Sequence, residues 1–541
     1  MVFRVSDLIA EQLVEIGVKY VFGIPGHTNL DIIDSIRANG DLNFILFRHE
    51  ETAALAASAY AKLTGRLGVC ASIAGPGATN LITGLYDAKM DRAPVLALTG
   101  QIEPQFIGTH AIQEIDLKAL FEPVCYFNKT ITTPSETAEM VVLAAKNCII
   151  NRGVSNLSIP TNIQRSPASG KVISFDKRMP KVDIAPSDQL IDEAVKIIDS
   201  SSNPAIIVGW GARYCADIIL ELAEKIDCPV ATTFKAKGVV SEFHPLSLGV
   251  LGSVGSRPAR EIIYGSDMLI VLGSSYSKQT AIPLNIKSIQ IDFDPLSIGK
   301  RFPVELGLYG SVEATLPRIL VKVKRQKRGG LRERIADLKN QWDQILRSDR
   351  ENGKIPIYQP KVISAIQDLA DEKAIISIDV GDNSWWFGRH FKMLDTQKIL
   401  ISGYLGCMGF GLSAGIASQI AFPDRQCIVI TGDGAFAMLM ADFTTAVKYN
   451  LPIKVIVFNN NELSMIRHEQ AEAGLPKFGV ELVNPDFAGY ATSCGGLGLK
   501  VSSPISLEGS LKKILESDKP ALLDVNTDPT PYWALDGVFK K

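Results

Sequence analysis

Hydrophobic positions along this chain follow two alternating patterns: short unbroken apolar runs, and longer stretches in which one helical face is apolar. The short runs have the length of strands buried on both faces, and the stretches between them predict amphipathic helices. In the first part of the chain, the runs predict strands at 18–24, 43–48, 68–74, 94–100 and 156–160. Later runs predict strands near 205–208, 268–272, 288–291, 375–378, 427–431 and 453–458, and a helix over 436–450. This alternation is typical of parallel α/β sheets.

Three doubly wound parallel-sheet domains are predicted from this pattern, at residues 1–165, 187–325 and 357–541. A chain of 541 residues has room for about three domains. The first connector, 165–186, is polar and contains Pro and Gly. The second, 322–354, is dense in charge, and its basic run is followed at once by acidic residues. We therefore predict a solvated helix there rather than a nucleic-acid surface. Two of the three domains show the same alternation and similar length, a pattern that a duplication would produce but that does not demonstrate one.

The composition limits the class of protein further. With 46% hydrophobic and 21% charged residues, the chain is predicted to be globular with a large core. A net charge of −2 gives no electrostatic reason to expect nucleic acid or an anionic membrane as a partner. Eight cysteines are scattered without a Cys-x-x-Cys pair, which predicts buried free thiols.

Targeting signals are not predicted either. The amino-terminal stretch has an apolar face interrupted by charged residues, which does not fit a signal peptide. No apolar run reaches the roughly 18 residues that a membrane span needs. Because the chain also stops soon after Trp533, we expect a cytoplasmic protein without a stable membrane anchor.

Oxygen-bearing side chains follow two of the predicted strands. Asp433 comes at the end of the run 427–431, between Gly432 and Gly434, and Asn460 lies 27 positions after Asp433, at the end of the run 453–458. Carboxyl ends of parallel strands meet at one edge of the sheet, where open α/β sheets bind ligands. Carboxylate and amide oxygens suit a magnesium ion that also binds diphosphate oxygens, and glycines let the backbone approach closely. On these residues alone, an ordinary turn is the alternative.

The spacing Gly-Asp-Gly followed by Asn-Asn resembles the thiamine diphosphate motif. The resemblance extends over nearly the whole chain, to the pyruvate oxidase and acetolactate synthase group. It implies thiamine diphosphate and Mg²⁺ as cofactors, with Asp433, Asn460 and the backbone carbonyl of Glu462 as metal ligands. The chain departs from the family at Ser464, where a glycine is usual.

The resemblance also assigns residues around thiamine diphosphate. Glu50 follows a strand, opens a helix and precedes the small apolar run 53–57, and it matches the family's activating glutamate. The alternative is that Glu50 only favours a helix amino terminus. Met408 matches the apolar wedge beneath the cofactor. Further cofactor-binding residues implied by the resemblance are Pro25, Gly26, Gly75, Asn80, Val380, Gly381, Asp382, Gly432, Gly434, Met465 and Ile466.

A flavin is predicted in the middle domain. The run 205–213 reads as a strand, a glycine turn and a helix, which alone is a weak signal because it is not Gly-x-Gly-x-x-Gly. Further segments resemble the flavin-binding parts of the same group, in the same order. The implied FAD contacts are Gly209, Gly211, Ala212, Lys237, Gly252, Asp292 and Asp294. A bound ADP or an empty fold is the alternative.

The resemblance implies decarboxylation of a 2-oxo acid, most simply pyruvate, to a hydroxyethyl carbanion. A pyruvate oxidase passes two electrons on to FAD, whereas an acetolactate synthase adds a second 2-oxo acid and keeps a redox-idle flavin. Synthases usually have tryptophan at the position of Glu469, so we favour the oxidase and assign Glu469 and Gln113 to the substrate pocket. A surface helix is the alternative for Glu469, and Ile112 replaces the phenylalanine usual in both groups.

The family also implies a homo-oligomer. Its activating glutamate comes from one subunit and its diphosphate site from another. This implies at least a dimer with the active site at the interface, and a tetramer as the expected assembly.

Overall fold

The computed structural model describes residues 2–529, which contain three parallel sheets of six strands with helices between successive strands. The predicted fold class, three doubly wound α/β units, is confirmed. No helix within this range is long and apolar enough to cross a membrane. The segment after Trp533, which entered the prediction about an anchor, lies outside the described residues.

The first sheet has the strand order β2-β1-β3-β4-β6-β5. Its strands are β1 (Tyr20–Gly23), β2 (Asn43–Leu46), β3 (Gly68–Ser72), β4 (Val95–Gln101), β5 (Phe127–Thr130) and β6 (Val154–Pro160). The helices around it are α1 (Val5–Glu15), α2 (Leu30–Asn39), α3 (Glu50–Thr64), α4 (Pro76–Met90), α5 (Leu117–Phe121), α6 (Thr137–Asn151) and α7 (Thr161–Arg165).

The second sheet has the order β9-β8-β7-β10-β11-β12, which is the 3-2-1-4-5-6 order of dinucleotide-binding folds. Its strands are β7 (Pro204–Val208), β8 (Val230–Thr232), β9 (Ser247–Val250), β10 (Met268–Leu272), β11 (Lys287–Asp292) and β12 (Leu306–Tyr309). The helices are α8 (Asp188–Ser200), α9 (Ala216–Ile226), α10 (Arg257–Tyr264) and α11 (Val312–Lys322), followed by the connecting helix α12 (Leu331–Glu351).

The third sheet has the order β14-β13-β15-β16-β18-β17. Its strands are β13 (Ile375–Ile378), β14 (Lys398–Ile401), β15 (Cys427–Gly432), β16 (Lys454–Asn459), β17 (Leu497–Val501) and β18 (Ala521–Asn526). The helices are α13 (Gln359–Leu369), α14 (Asp382–His390), α15 (Phe410–Ala421), α16 (Asp433–Leu439), α17 (Phe443–Lys448), α18 (Ser464–Glu472), α19 (Phe487–Ser493) and α20 (Pro504–Leu515). Counted within its own domain, the strand order equals that of the first sheet, as a duplication requires.

Short 3₁₀ turns join several of these elements. They are Pro104–Phe106, Pro134–Glu136, Asp176–Arg178, Trp210–Ala212, Phe234–Ala236, Lys278–Thr280, Pro295–Ser297 and Met440–Asp442. The eight cysteines are free thiols and six of them are buried, as predicted.

The predicted helix over 436–450 is wrong as a single element. The structure has two short helices there, α16 and α17, separated by the turn Met440–Asp442. Asp442 is fully buried, and its carboxylate accepts hydrogen bonds from the backbone N–H of Arg48 and the hydroxyl of Thr445. The chain therefore breaks its helix to direct Asp442 toward the first domain, a contact that no local pattern encodes.

The first and third domains pack directly on one another. Helix α3 lies against α15, and apolar residues of both domains form one continuous core. Small residues dominate α3, including the run 53–57, and this lets neighbouring helices approach. The packing fixes the amino-terminal end of α3, which carries Glu50, close to the third domain.

Candidate active site

Strands β13 and β15 are neighbours in the third sheet, and β14 lies on the outer side of β13. The strand order therefore reverses between β13 and β15. Open α/β sheets bind ligands at such a switch point. Asp433 begins α16 directly after β15 and is almost fully buried. Its carboxylate accepts hydrogen bonds from the backbone N–H groups of Gly434 at 2.9 Å and Asn461 at 2.7 Å. Burial raises the pKa of Asp433 although these bonds oppose the shift.

The loop after β16 brings Asn460 and Glu462 to the same edge of the sheet. The Asn461 N–H bond to Asp433 ties this loop to the β15 end. Asn460 Oδ1 accepts the Glu462 N–H at 3.2 Å, and Asn460 Nδ2 donates to Ser464 Oγ at 3.1 Å. The structure thus brings together the loops that carry the three predicted metal ligands.

Asn484 is a residue of this cluster that the sequence pattern does not reveal. Its Nδ2 donates to Asp433 Oδ2 at 2.7 Å and to Asn459 Oδ1 at 3.0 Å. It lies in a stretch without regular secondary structure between α18 and α19, so no strand end or glycine motif marks it. Asn484 donates to the same oxygen, Oδ2, as the Asn461 N–H, and the two donors together restrict the orientation of the Asp433 carboxylate.

Asp379, the residue after β13, organises the turn that carries Met408. Its Oδ1 accepts the N–H groups of Val380 at 3.0 Å and Gly409 at 2.9 Å, and its Oδ2 accepts the Thr431 hydroxyl at 3.0 Å. Gly409 has φ of 88°, so a glycine suits this turn. Met408 reaches toward the metal motif, because a Cβ at Gly434 would lie 3.5 Å from Met408 Cε. An acidic residue at a strand end was the signal that could have identified Asp379.

Complete burial raises the pKa of Asp379 to about 6, against the hydrogen bonds that it accepts. The folded protein therefore binds this proton more tightly than the unfolded chain does, and stability falls as pH rises from about 4 to 6. We expect Asp379→Asn to remove this loss, which amounts to about 3 kcal/mol at pH 7. Urea unfolding of both proteins from pH 4 to 7 measures it: the variant's advantage should grow as pH rises.

Asp267→Asn is the control of opposite sign. Burial alone would raise the pKa of Asp267, but hydrogen bonds from the Ser201 hydroxyl and the Ser202 N–H lower it. This variant should lose stability relative to the wild type as pH rises through the acid range. An Asp379→Asn advantage that does not change with pH would contradict the assigned shift.

The start of α14 holds Val380, Gly381 and Asp382 at the same edge. Gly381 has φ of 141°, and Asp382 is buried. Asp382 Oδ2 accepts the Ser464 hydroxyl at 2.5 Å. Asp382 Oδ1 is buried and has no hydrogen-bond partner among residues 2–529. At Gly432 there is open space, since a Cβ there would meet only Asn383 Oδ1 at 3.7 Å. Both features fit a polar ligand at this edge.

A second cluster forms at the carboxyl edge of the first sheet, around Glu50. Glu50 begins α3 and is buried, and its Oε2 accepts a hydrogen bond from Asn80 Nδ2 of α4 at 3.0 Å. The two helices approach closely because Gly84 has no side chain; a Cβ there would lie 2.5 Å from Ala54 Cβ. The structure thus joins two residues that the sequence predicted separately.

The remaining predicted residues of the first domain line the adjoining loops. Gly75 has φ of 64°, and a Cβ there would lie 2.9 Å from the Cβ of Gln113. Gln113 therefore packs directly on the loop that leads into α4. Gly26 follows Pro25 after β1, donates its N–H to Asn29 Oδ1 at 2.8 Å, and leaves room for Ile73.

Helix α18 carries the predicted substrate-side residues immediately after the loop that holds Asn460 and Glu462. Met465 is half-buried, whereas Ile466 and Glu469 are exposed in the single chain. These positions fit either a surface helix or a pocket wall completed by a second copy, so the assignment of Glu469 stays a prediction.

In the central sheet, the glycines lie at the switch point between β7 and β10. A Cβ at Gly209 or Gly211 would lie 2.3 or 2.8 Å from backbone atoms of Gly273, so close packing of two turns requires all three glycines. Ala212 follows in the same turn and is buried. Arg213 Nε, next in the chain, is buried and has no hydrogen-bond partner within residues 2–529. This orphaned donor fits an acidic ligand at the switch point.

The other predicted flavin contacts differ in whether their side chains already have hydrogen-bond or ion-pair partners within the protein. Asp294 Oδ2 accepts Arg92 Nη2 at 2.5 Å and the Ser297 hydroxyl at 2.8 Å. Lys237 Nζ is buried against Glu242 Oε1 at 2.5 Å and the Gly388 carbonyl at 3.1 Å. Gly252 has φ of 111° and packs on the Gln279 carbonyl, and burial raises the pKa of Asp292. Flavin contacts by Lys237 and Asp294 stay predictions, since both charges already have partners.

Three parallel sheets, with an acidic and amide cluster at the switch point of one and a buried glutamate at the carboxyl edge of another, define a cofactor-binding α/β enzyme. Sequence models of the thiamine pyrophosphate enzyme family match all three parts: the N-terminal TPP binding domain at residues 3–120, the central domain at 191–319, and the C-terminal TPP binding domain at 379–525. The chain belongs to the thiamine pyrophosphate enzyme family.

Curated relatives extend along the whole chain. A putative thiamine pyrophosphate-containing protein of Bacillus subtilis is 37% identical, with 97% of this chain and 92% of the relative covered. A probable acetolactate synthase large subunit of Methanococcus aeolicus is 32% identical, covering 95% and 90%. Pyruvate oxidase of Lactiplantibacillus plantarum is 31% identical, covering 94% and 86%. The chain is therefore a thiamine diphosphate-dependent enzyme of the pyruvate oxidase and acetolactate synthase group.

Proposed function

We propose that this protein is a pyruvate oxidase, which decarboxylates pyruvate oxidatively with thiamine diphosphate, Mg²⁺ and FAD. The observation that carries the oxidase over the synthase is Glu469 on α18, directly after the metal loop, at the position where synthases resembling this chain have tryptophan. In the synthases, that tryptophan restricts which second 2-oxo acid can react. The smaller side chain of Glu469 lacks this bulk, so this chain lacks the residue with which a synthase selects its acceptor.

The third domain supplies the metal and diphosphate site in this proposal. Asp433, Asn460 and the Glu462 carbonyl would hold Mg²⁺, because hard cations prefer such oxygens. Helices α14 and α18 both begin at this edge, and helix amino termini favour phosphate groups. Val380, Gly381, Asp382, Gly432 and Gly434 would line the diphosphate, and Met408 would support the ring system with Met465 and Ile466.

The first domain supplies the proton chemistry. Thiamine diphosphate, when bound, supplies a thiazolium carbon that adds to the keto group of a 2-oxo acid and stabilises the charge left when carbon dioxide departs. Glu50 holds a proton at the aminopyrimidine end, and Asn80 keeps its carboxylate oriented. Pro25, Gly26 and Gly75 shape the surrounding loops, and Gln113 faces the substrate.

The central domain provides the electron acceptor in this proposal. FAD, when bound, would accept the two electrons released, and the acetyl group would pass to phosphate or water, giving acetyl phosphate or acetate. The switch point at Gly209 and Gly211, together with the orphaned Arg213 Nε, supports dinucleotide binding there. The ranges 1–165, 187–325 and 357–541 are the proposed domain limits.

A second copy of the chain would complete the site. Apolar side chains near both clusters are exposed in the single chain, among them Ile112 at 83%, Phe478 at 83% and Ile466 at 45% exposure. Exposed large apolar residues grouped beside a site support a subunit interface. We therefore propose a homo-oligomer with the active site between subunits, assembled as a tetramer. A cytoplasmic location stays a prediction.

Acetolactate synthase is the second candidate. Several of the similar proteins are named acetolactate synthase, and the Methanococcus aeolicus relative, at 32% identity, is as similar to this chain as the pyruvate oxidase at 31%. In the synthase, the flavin would be structural, and a second 2-oxo acid would take the place of the electron acceptor.

An anaerobic spectroscopic experiment separates the two reactions. The protein is mixed with FAD, thiamine diphosphate, Mg²⁺ and pyruvate, and the flavin absorbance is followed. We expect rapid bleaching that reverses when oxygen is admitted, because the oxidase reduces its flavin. The control omits pyruvate. An unbleached flavin with accumulating acetolactate would establish the synthase instead, and a protein that binds no FAD would defeat both flavin assignments.

A further inference from the structure

Ser464 connects the two loops of the metal and diphosphate cluster. It is buried at the first position of α18, and its Oγ lies 2.5 Å from Asp382 Oδ2 and 3.1 Å from Asn460 Nδ2. His468 of the same helix also lies near this carboxylate, with Nε2 at 3.5 Å from Asp382 Oδ2. Asp382, Ser464 and Asn460 therefore form a chain of hydrogen-bonded groups that runs from α14 to the loop after β16.

The hydrogen bonds in this chain have a fixed direction. An ionised carboxylate only accepts hydrogen bonds, so Ser464 donates its single hydroxyl proton to Asp382. The Ser464 oxygen then has only lone pairs left for its other neighbour. It must accept a hydrogen bond from Asn460, and only the amide nitrogen of Asn460 can donate one.

The direction of these bonds decides which atom Asn460 presents elsewhere. With Nδ2 held by Ser464, Oδ1 points to the other side of the amide, where the Glu462 N–H is its one hydrogen-bond donor within residues 2–529. An amide oxygen has two lone pairs, so one remains for a cation. If the amide turned over, the nitrogen would face the metal position, and an amide nitrogen is not a ligand for Mg²⁺.

We propose that Ser464 is a positioning residue that selects the metal-binding orientation of the Asn460 amide. Asp382 makes this possible because it accepts the Ser464 hydroxyl proton. The inference rests on the proposed Mg²⁺ site. Groups that orient metal ligands commonly change metal affinity by 10- to 100-fold when they are removed.

The test compares Ser464→Ala with Ser464→Thr. Thiamine diphosphate binding is followed by quenching of protein fluorescence while Mg²⁺ is titrated, and Mn²⁺ binding is followed by electron paramagnetic resonance. We expect Ser464→Ala to raise the Mg²⁺ half-saturation concentration about 10-fold. Ser464→Thr keeps the hydroxyl and should remain within about threefold of the wild type.

The design separates positioning from structural damage. At saturating Mg²⁺, Ser464→Ala should bind thiamine diphosphate nearly as tightly as the wild type, because only the metal step is impaired; a damaged site would lose affinity at every Mg²⁺ concentration. Asp382→Asn, which no longer forces the hydroxyl proton in one direction, should also weaken Mg²⁺ binding. Unchanged Mg²⁺ and Mn²⁺ affinity in Ser464→Ala would overturn the inference. Wild-type protein that needs no metal would overturn the proposed site itself.

Discussion

Glu50→Gln is expected to slow exchange of the thiazolium carbon 2 proton in the bound cofactor by at least about 100-fold, with a parallel loss of turnover. A positioned acid–base group contributes about 10²- to 10⁴-fold to a proton transfer, and glutamine cannot hold and return a proton. The amide has the same shape and keeps an oxygen to accept the Asn80 Nδ2 hydrogen bond. The helix pair α3–α4 should therefore remain intact, and the cofactor should still bind.

The measurement is deuterium exchange at carbon 2, quenched in acid and read by nuclear magnetic resonance. Glu51→Gln is the matched control, because Glu51 is the next residue of the same helical turn and contacts Cys407 Sγ at 3.6 Å rather than Asn80. It should leave exchange near the wild-type rate. Undiminished exchange in Glu50→Gln would refute the assigned role.

Asp91→Ala is expected to destabilise the protein by about 3–5 kcal/mol, because it removes one partner of a buried charge network. Asp91 Oδ2 lies 2.7 Å from Lys62 Nζ, and Asp91 Oδ1 lies 2.7 Å from Lys235 Nζ. Asp87 pairs with the same Lys62 at 2.7 Å, and the Gly403 N–H donates to Asp91 at 3.0 Å. All three domains thus meet at one buried carboxylate.

The shifts in pKa show which charges depend on this contact. Burial alone would lower the pKa of Lys62, but Asp87 and Asp91 raise it above its usual value. Burial lowers the pKa of Lys235 although Asp91 opposes the shift. Burial would raise the pKa of Asp91, and the two lysines lower it. Without Asp91, two buried ammonium groups face one carboxylate.

Urea unfolding at pH 7 measures the loss. Asp188→Ala is the control, since Asp188 pairs with Arg318 at the surface and an exposed pair contributes little; its unfolding midpoint should stay near that of the wild type. Combining Asp91→Leu with Lys235→Met should recover part of the stability, because it removes the ammonium group that loses its partner and keeps the Lys62–Asp87 pair in place. A midpoint of Asp91→Ala equal to that of the control would show that the network does not hold the domains.

The sequence by itself predicted eleven of the eighteen strands found within residues 2–529, together with the residues at their carboxyl ends. β10 and β13 have the predicted limits to the residue, because their short apolar runs, interrupted only by the buried Ser377 in β13, suit a strand that is buried on both faces. Asp433 and Asn460 follow such runs, and parallel pairing brings all strand ends to one edge. Their proximity is therefore a local consequence of the pattern.

Only the tertiary structure decided how side chains far apart in the chain meet. The break at Asp442 depends on the Arg48 N–H of another domain, and the Glu50–Asn80 bond depends on the close approach of two helices at Gly84. Hydrogen-bond direction at Ser464 depends on Asp382, 82 positions away. Such contacts are long-range and each involves few atoms, so they leave no periodic trace in the sequence, whereas burial of whole strands does.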